Sequence, residues 1–180
     1  NEFINELKFS NCDAHIALSA AYTKPFGIMQ FKSSPGIGGH CIPIDPVYLL
    51  NWARNLGANL SIIETANLFA RSQYKHNLSL VEKKMGGDIK GKKILIVGVS
   101  YKPNVTDTRE SPAFKLMNEL VLLGAQVNWY DPIALSNQNS RIEELESWEG
   151  DLIILVTKHS IFQQKDLANM ARKFIDLNAN

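Results

Sequence analysis

Three glycines within four positions run straight into a cysteine in Pro35-Gly36-Ile37-Gly38-Gly39-His40-Cys41-Ile42-Pro43-Ile44-Asp45-Pro46. Residues without a Cβ let a backbone approach a ligand closely and turn its N–H groups toward it. A thiol beside such donors, just ahead of a helix start, is placed to be a nucleophile. Asp45, four residues on, is placed to hold a water or take a proton. A plainer reading also fits: cysteine packs as a small hydrophobe, and aspartate before proline caps a helix. His40 reads as a donor that orders the loop.

A second loop, Gly98-Val99-Ser100-Tyr101-Lys102-Pro103-Asn104-Val105-Thr106-Asp107-Thr108-Arg109-Glu110-Ser111-Pro112, leads from an apolar run into a helix start. Ligands of open α/β sheets bind beyond the carboxyl ends of strands, which is where this loop falls. Tyr101 offers a stacking face for a base, and Lys102 and Arg109 offer charge for phosphates. The alternative is a solvated polar turn in which Arg109 pairs with Glu110 or Asp107. The loop contains neither Gly-x-Gly-x-x-Gly nor a Walker lysine, so it is not a standard dinucleotide or P-loop site.

No metal is expected. A zinc site from Cys12, His15, His40 and Cys41 would need two sequence neighbours to converge on one tetrahedral ion. The same divergence of adjacent side chains argues against a hydrolase built on Cys41 and His40. His76 and His159 have no ligand-like neighbours and read as surface residues. Trp52, Trp129 and Trp148 read as packing or interface residues.

The elements that must position these loops divide the chain near Gly86-Gly87. Phe3, Ile4 and Leu7 predict the end of an amphipathic helix over residues 1–9. Asp13 is the expected cap of a second helix reaching Tyr22, with Ile16, Ala17 and Ala20 inward. Residues 24–46 hold four prolines and four glycines, and so long a loop is more often functional than not. Asp45-Pro46 reads as the N-cap and first position of a helix ended by Gly57. Ser61-x-x-Glu64 reads as a capping box for a long helix with a seam through Ile62, Ala66, Phe69, Leu78, Val81 and Met85, closed by Gly86. Beyond it, strands are expected over residues 94–99, 127–130, 152–156 and 174–177, with helices from Ser111-Pro112 to Gly124 and over 164–172. That alternation is a small doubly wound parallel α/β unit, so the fold class is α/β. The expected domains are 1–90, helical and carrying the cysteine loop, and 91–180, α/β.

The 180 residues bear 19 Lys plus Arg against 18 Asp plus Glu, a net charge of +1, which removes the electrostatic case for a general nucleic-acid binder. Two cysteines are too few for a disulfide framework and fit a reducing compartment. No apolar run approaches the roughly 20 residues of a membrane helix, and the first residues carry acids and amides where a signal peptide would carry a basic end and an apolar run. A cytoplasmic protein without membrane partners is expected. The chain starts without Met inside a helical pattern, as a piece of a longer protein would.

Read together, TKPFGIMQFKSSPGIGGHCIPIDPVYLL, VGVSYKPNVTDTRESPAFKLMNEL and VNWYDP resemble the nucleotide-sugar dehydrogenases, the UDP-glucose/GDP-mannose 6-dehydrogenase family. The GGHCIPIDP form looks most like the branch acting on UDP-N-acetyl-hexosamines to make uronic acids for surface polysaccharides. The resemblance implies a central helical, dimerising segment followed by a Rossmann-like UDP-binding domain, and a homodimer. It implies oxidation of the sugar C6 alcohol to the acid, with NAD held by an N-terminal domain these residues do not include. Cys41 falls on the family's nucleophile, which forms a thiohemiacetal and then a thioester, and Asp45 on the aspartate of the water and proton steps. Gly36, Gly38, Gly39 and His40 fall on the loop around the sugar and phosphates. Tyr101, Lys102 and Arg109 fall on the nucleotide loop, and Phe31 and Lys32 near further nucleotide contacts. The family's Asn-x-x-Met-Pro segment is not found around residues 70–74, and its catalytic Lys and Asn precede residue 1. These residues alone are therefore expected to lack turnover. A binding module without catalysis is the alternative.

Overall fold

The computed structural model describes residues 1–7, 12–134, 136, 138–162 and 164–178. Its first part is helical: α1 (Glu2–Leu7), α2 (Ala14–Ala21), α3 (Cys41–Asn55) and α4 (Ser61–Met85). The rest is β1 (Lys93–Val97), α5 (Pro112–Leu122), β2 (Gln126–Tyr130), β3 (Leu152–Leu155), α6 (Gln164–Asn169) and β4 (Lys173–Asp176). All strand pairs are parallel, in the order β2-β1-β3-β4, with Ile94 opposite both Val127 and Leu152. This is the expected α/β, Rossmann-like arrangement. The strand order reverses between β1 and β3, which opens a crevice at their carboxyl ends.

The central strands β1 and β3 are covered on both faces, which is why they read as apolar runs without alternation, whereas the edge strand β2 alternates. On one face Ile94, Ile96, Val127, Trp129, Leu152 and Ile154 pack with Leu116 and Leu120 of α5 and with Val81 and Met85 of α4. On the other, Leu95, Val97, Ile153 and Leu155 meet Leu145, Trp148 and Leu167. Each fully buried side chain of this size contributes roughly 1.5–3 kcal/mol. The 25 residues of α4 span about 37 Å at 1.5 Å per residue. The helix therefore reaches from the sheet core into the helical part, where its buried Asn77 donates to the Pro35 carbonyl at 2.6 Å.

Several local expectations change. Asp13 does cap α2, accepting from the His15 and Ile16 amides, but Ala14 is the residue turned inward and Ile16 is 70% exposed. Positions 8 and 9 of the first predicted helix lie outside the described residues. Helix α3 begins at Cys41, not Asp45: Pro43 falls in its first turn, where N–H groups have no helical partner to lose, while Pro46 stands inside the helix and forgoes one bond. The capping box does not form. Leu60 is the N-cap of α4, and Glu64 instead pairs with Arg54 of α3. The seam of α4 is buried at Val81 and Met85 but Ile62 is 85% exposed. Strand β1 stops at Val97: the Gly98 amide still reaches the Tyr130 carbonyl, but the Val99 and Ser100 amides turn to Asp131.

Candidate active site

The glycine loop and the β1 loop touch, and the absence of side chains on the glycines is what allows it. A Cβ on Gly36 would stand 2.9 Å from Cβ of Pro112, and one on Gly38 would stand 2.7 Å from Cβ of Tyr101. Gly39, at φ +90°, lies flat on the Tyr101 ring and its N–H donates to the Arg109 carbonyl at 2.8 Å. Any other residue at this φ would be strained as well as crowded. Two residues later the chain enters α3 with Cys41 at its first position, the side chain exposed. The His40 N-cap makes no side-chain capping bond, so the first-turn amides are left for another acceptor. Asp45 follows at i+4, one turn on and exposed, hence on the same helix side as Cys41.

On the other wall, the Lys102 ammonium lies 5.3 Å from the Tyr101 ring centroid and makes no ion pair among the described residues. Arg109 is engaged by Asp107 through a two-pronged contact at 2.6 and 3.1 Å. That bond, first of all, holds the Asp107 carboxyl below its ordinary range and raises the Arg109 guanidinium further, with Tyr101 and the Cys41 sulfur also in the arginine's field. The pairing that the alternative reading invoked for Arg109 is thus real. Arg109 orders the loop, while Lys102 keeps an unpaired charge.

The other predicted site residues are more dispersed. Phe31 and Lys32 are exposed and line a cleft of about 800 Å³ with Asn1, Ser34, Gly36 and Ile37. That cleft shares Gly36 and Ile37 with the glycine loop, and Tyr101 is not in its lining. Among the described residues, no three His, Cys, Asp or Glu side chains gather as a metal site, and no helix is long and apolar enough to cross a membrane.

Sequence reasoning missed what lies beneath the corner. Asp131, at the end of β2, is fully buried. Its Oδ2 accepts from the Val99 amide at 2.8 Å, the Ser100 amide at 3.1 Å and the Ser100 hydroxyl at 3.3 Å. Its Oδ1 accepts from the Ile133 and Ala134 amides at 3.0 and 2.8 Å. Burial alone would raise this carboxyl, but the bond from His159 and these amides outweigh it and hold it well below the usual carboxylate range. His159 is not a surface residue. It is 1% exposed, with Nε2 2.9 Å from Asp131 Oδ2 and Nδ1 accepting from the Asn104 amide at 2.9 Å. The available signal was positional: Asp131 and His159 both follow strands, where an α/β sheet gathers its functional groups.

Two family models cover most of the chain. The central domain of the UDP-glucose/GDP-mannose dehydrogenase family matches residues 1–70, and that family's UDP binding domain matches residues 95–178. The chain belongs to the UDP-glucose/GDP-mannose dehydrogenase family. Within it, a UDP-N-acetyl-D-mannosamine dehydrogenase of Methanocaldococcus jannaschii is 36% identical over 148 residues, which cover 79% of this chain and 33% of that protein. A UDP-glucose 6-dehydrogenase of Rhizobium meliloti is 31% identical over 148 residues, 78% of this chain and 34% of that protein. The solved structure of a UDP-D-ManNAc dehydrogenase from Pyrococcus horikoshii superimposes with a TM-score of 0.80 at 25% identity, covering 97% of this chain and 42% of that one. The chain spans about a third of the length of the curated relatives it matches. The family boundary between the two matches falls within α4 and the turn after it, so both loops of the site are family elements.

Proposed function

We propose that this chain is the substrate-side portion of an NAD-dependent UDP-sugar 6-dehydrogenase, oxidising C6 of a UDP-N-acetyl-hexosamine or UDP-hexose to a uronic acid for surface polysaccharide. One observation carries the reading: the thiol-bearing glycine loop is seated on Tyr101, so a ligand held by Lys102 and Tyr101 lies beside Cys41. Lys102 and Tyr101 then hold the nucleotide diphosphate. The amides of the glycine loop and the start of α3 face the sugar and phosphates. Phe31 and Lys32 extend the site along the neighbouring cleft, and His40 orders the loop.

In this mechanism the Cys41 sulfur adds to the carbonyl carbon of a C6 aldehyde. The S–C bond forms, the carbonyl pair moves to oxygen, and the thiol proton ends on that oxygen. Loss of a hydride from that carbon, to NAD held outside this chain, turns the adduct into a thioester; water then attacks the same carbon, the C–S bond breaks, and the departing thiolate takes up a proton as the acid leaves. Asp45, one turn from Cys41, takes the water's proton.

The residues present do not fit NAD. The turn after β1 would be its phosphate site, but the Thr157 backbone is packed directly against Gly98 there. The Val99 and Ser100 amides are already held by Asp131. NAD is assigned to residues outside this chain, as in the family's N-terminal domain. The exposed apolar residues of α3 and α4, including Tyr48, Trp52, Ile62 and Leu68, fit a homodimer through the long helix. Two cysteines without a disulfide fit a cytoplasmic protein.

A calorimetric series of UDP, GDP and several UDP-sugars tests the reading. UDP-sugars should bind with UDP close behind. Absence of UDP binding would overturn it. A binding module without chemistry would give the same series, and differs in that Cys41→Ser leaves activity of the longer protein intact.

A further inference from the structure

The buried His159 lies between the best-anchored carboxylate in the fold and the loop assigned to the nucleotide, and the proposed chemistry makes no use of it. Its protonation follows from its neighbours. The Asn104 backbone N–H points at Nδ1 at 2.9 Å, and an amide hydrogen cannot be accepted by a protonated nitrogen, so Nδ1 carries none. Nε2 then bears the hydrogen and donates it to Asp131. The ring is then neutral, and Asp131 stays ionised on the His159 Nε2–H bond together with the amides of Val99, Ser100, Ile133 and Ala134.

Asn104 itself sits at φ +62°, a conformation that costs a non-glycine residue energy. Two contacts hold it there. Its N–H is taken by His159, and its Oδ1 accepts from the Ser160 amide and hydroxyl, each at 3.0 Å. Asn104 lies two residues beyond Lys102, so its anchoring sets where Tyr101 and Lys102 stand.

We propose that His159 is a positioning residue for the nucleotide diphosphate: in its neutral Nε2–H form it links the Asp131 carboxylate to the Asn104 backbone and so fixes the corner made by Tyr101 and Lys102. This rests on the assignment of that corner to UDP. Glutamine offers a carbonyl acceptor and an amide donor on one side chain, whereas phenylalanine fills the space with neither.

The test is UDP calorimetry on the whole chain and on His159→Phe and His159→Gln. It is paired with ¹⁵N NMR of the unsubstituted chain's histidines before and after UDP. His159→Phe should weaken UDP at least tenfold and His159→Gln should recover most of it. The His159 nitrogens should show the Nε2–H form and move when UDP binds. If the unsubstituted chain does not bind UDP, the site assignment falls and this inference with it. If it binds UDP but His159→Phe stays within twofold, the inference alone falls. If His159→Phe does not fold, the NMR decides, and nitrogens in the Nδ1–H form or unmoved by UDP overturn it.

Discussion

Gly38 is packed against Tyr101 so closely that a Cβ added to it would meet the tyrosine Cβ at 2.7 Å and the Glu110 carbonyl at 3.0 Å. Neither obstacle is the free end of a flexible side chain, so the two loops must part to admit even a methyl group. Gly38→Ala is expected to cost roughly 1–3 kcal/mol of stability and to weaken UDP. Gly27→Ala, at a position with φ +71° and nothing within 4 Å, is strained too but should leave UDP affinity unchanged. Equal losses of affinity from both would mean that the contact with Tyr101 has no bearing on the site.

Cys41 and Cys12 are both exposed, which gives an internal control. Iodoacetamide should modify both in the unliganded chain, and a saturating UDP-sugar should protect Cys41 alone. Mass spectrometry of the two peptides reads the result. Equal modification of Cys41 with and without ligand would place the sulfur away from the sugar.

Lys102 makes no close ion pair among the described residues, and the carboxylate in its field, Asp107, is taken up by Arg109. Lys102→Ala should weaken UDP by roughly 1–3 kcal/mol, the range of a charge-assisted hydrogen bond. Unchanged affinity by calorimetry would remove Lys102 from the site. Arg109→Ala should act differently, since its guanidinium is already occupied by Asp107, and should weaken UDP less than Lys102→Ala in the same calorimetry.

Asp131 gives a pH dependence with a definite sign. Its folded-state pKa is depressed, so the unfolded chain takes up the proton first as pH falls. The stability it confers is complete above the unfolded value of about 3.9 and is lost as pH drops below that. Asp131→Asn puts an N–H₂ group among N–H donors, which should cost roughly 2–4 kcal/mol at neutral pH. It should also flatten the acid limb of a urea-unfolding series between pH 7 and 3. A variant with the parent's acid limb would exclude Asp131 as its source.

The parallel sheet was legible because its central strands β1 and β3 are buried on both faces and its strands are flanked by glycine, proline and aspartate. The two loops were legible because glycine clusters and lone cations are uncommon outside turns. Helix starts were less so. Asp45-Pro46 and Ser61-x-x-Glu64 both carry the residues of a cap, yet α3 starts earlier and Glu64 is drawn to Arg54, because a tertiary partner outcompetes a local one. Ile16 was misplaced for the related reason that α2 is too short for its pattern to fix which face packs. His159 was the larger miss. A single histidine in a polar stretch has no periodic signature, and its partners Asp131 and Asn104 are 28 and 55 positions away.

Because α4 lends Val81 and Met85 to the sheet's core, the backbone link at Gly86-Gly87 is not a seam in the packing. Scission there would not release two finished bodies. It would leave the strands with an uncovered oily flank and the helix with nothing to lean on. The thiol loop hangs from the same rod through Asn77 and Pro35, so where that loop stands is inherited from how the rod is bedded about one to two turns further along.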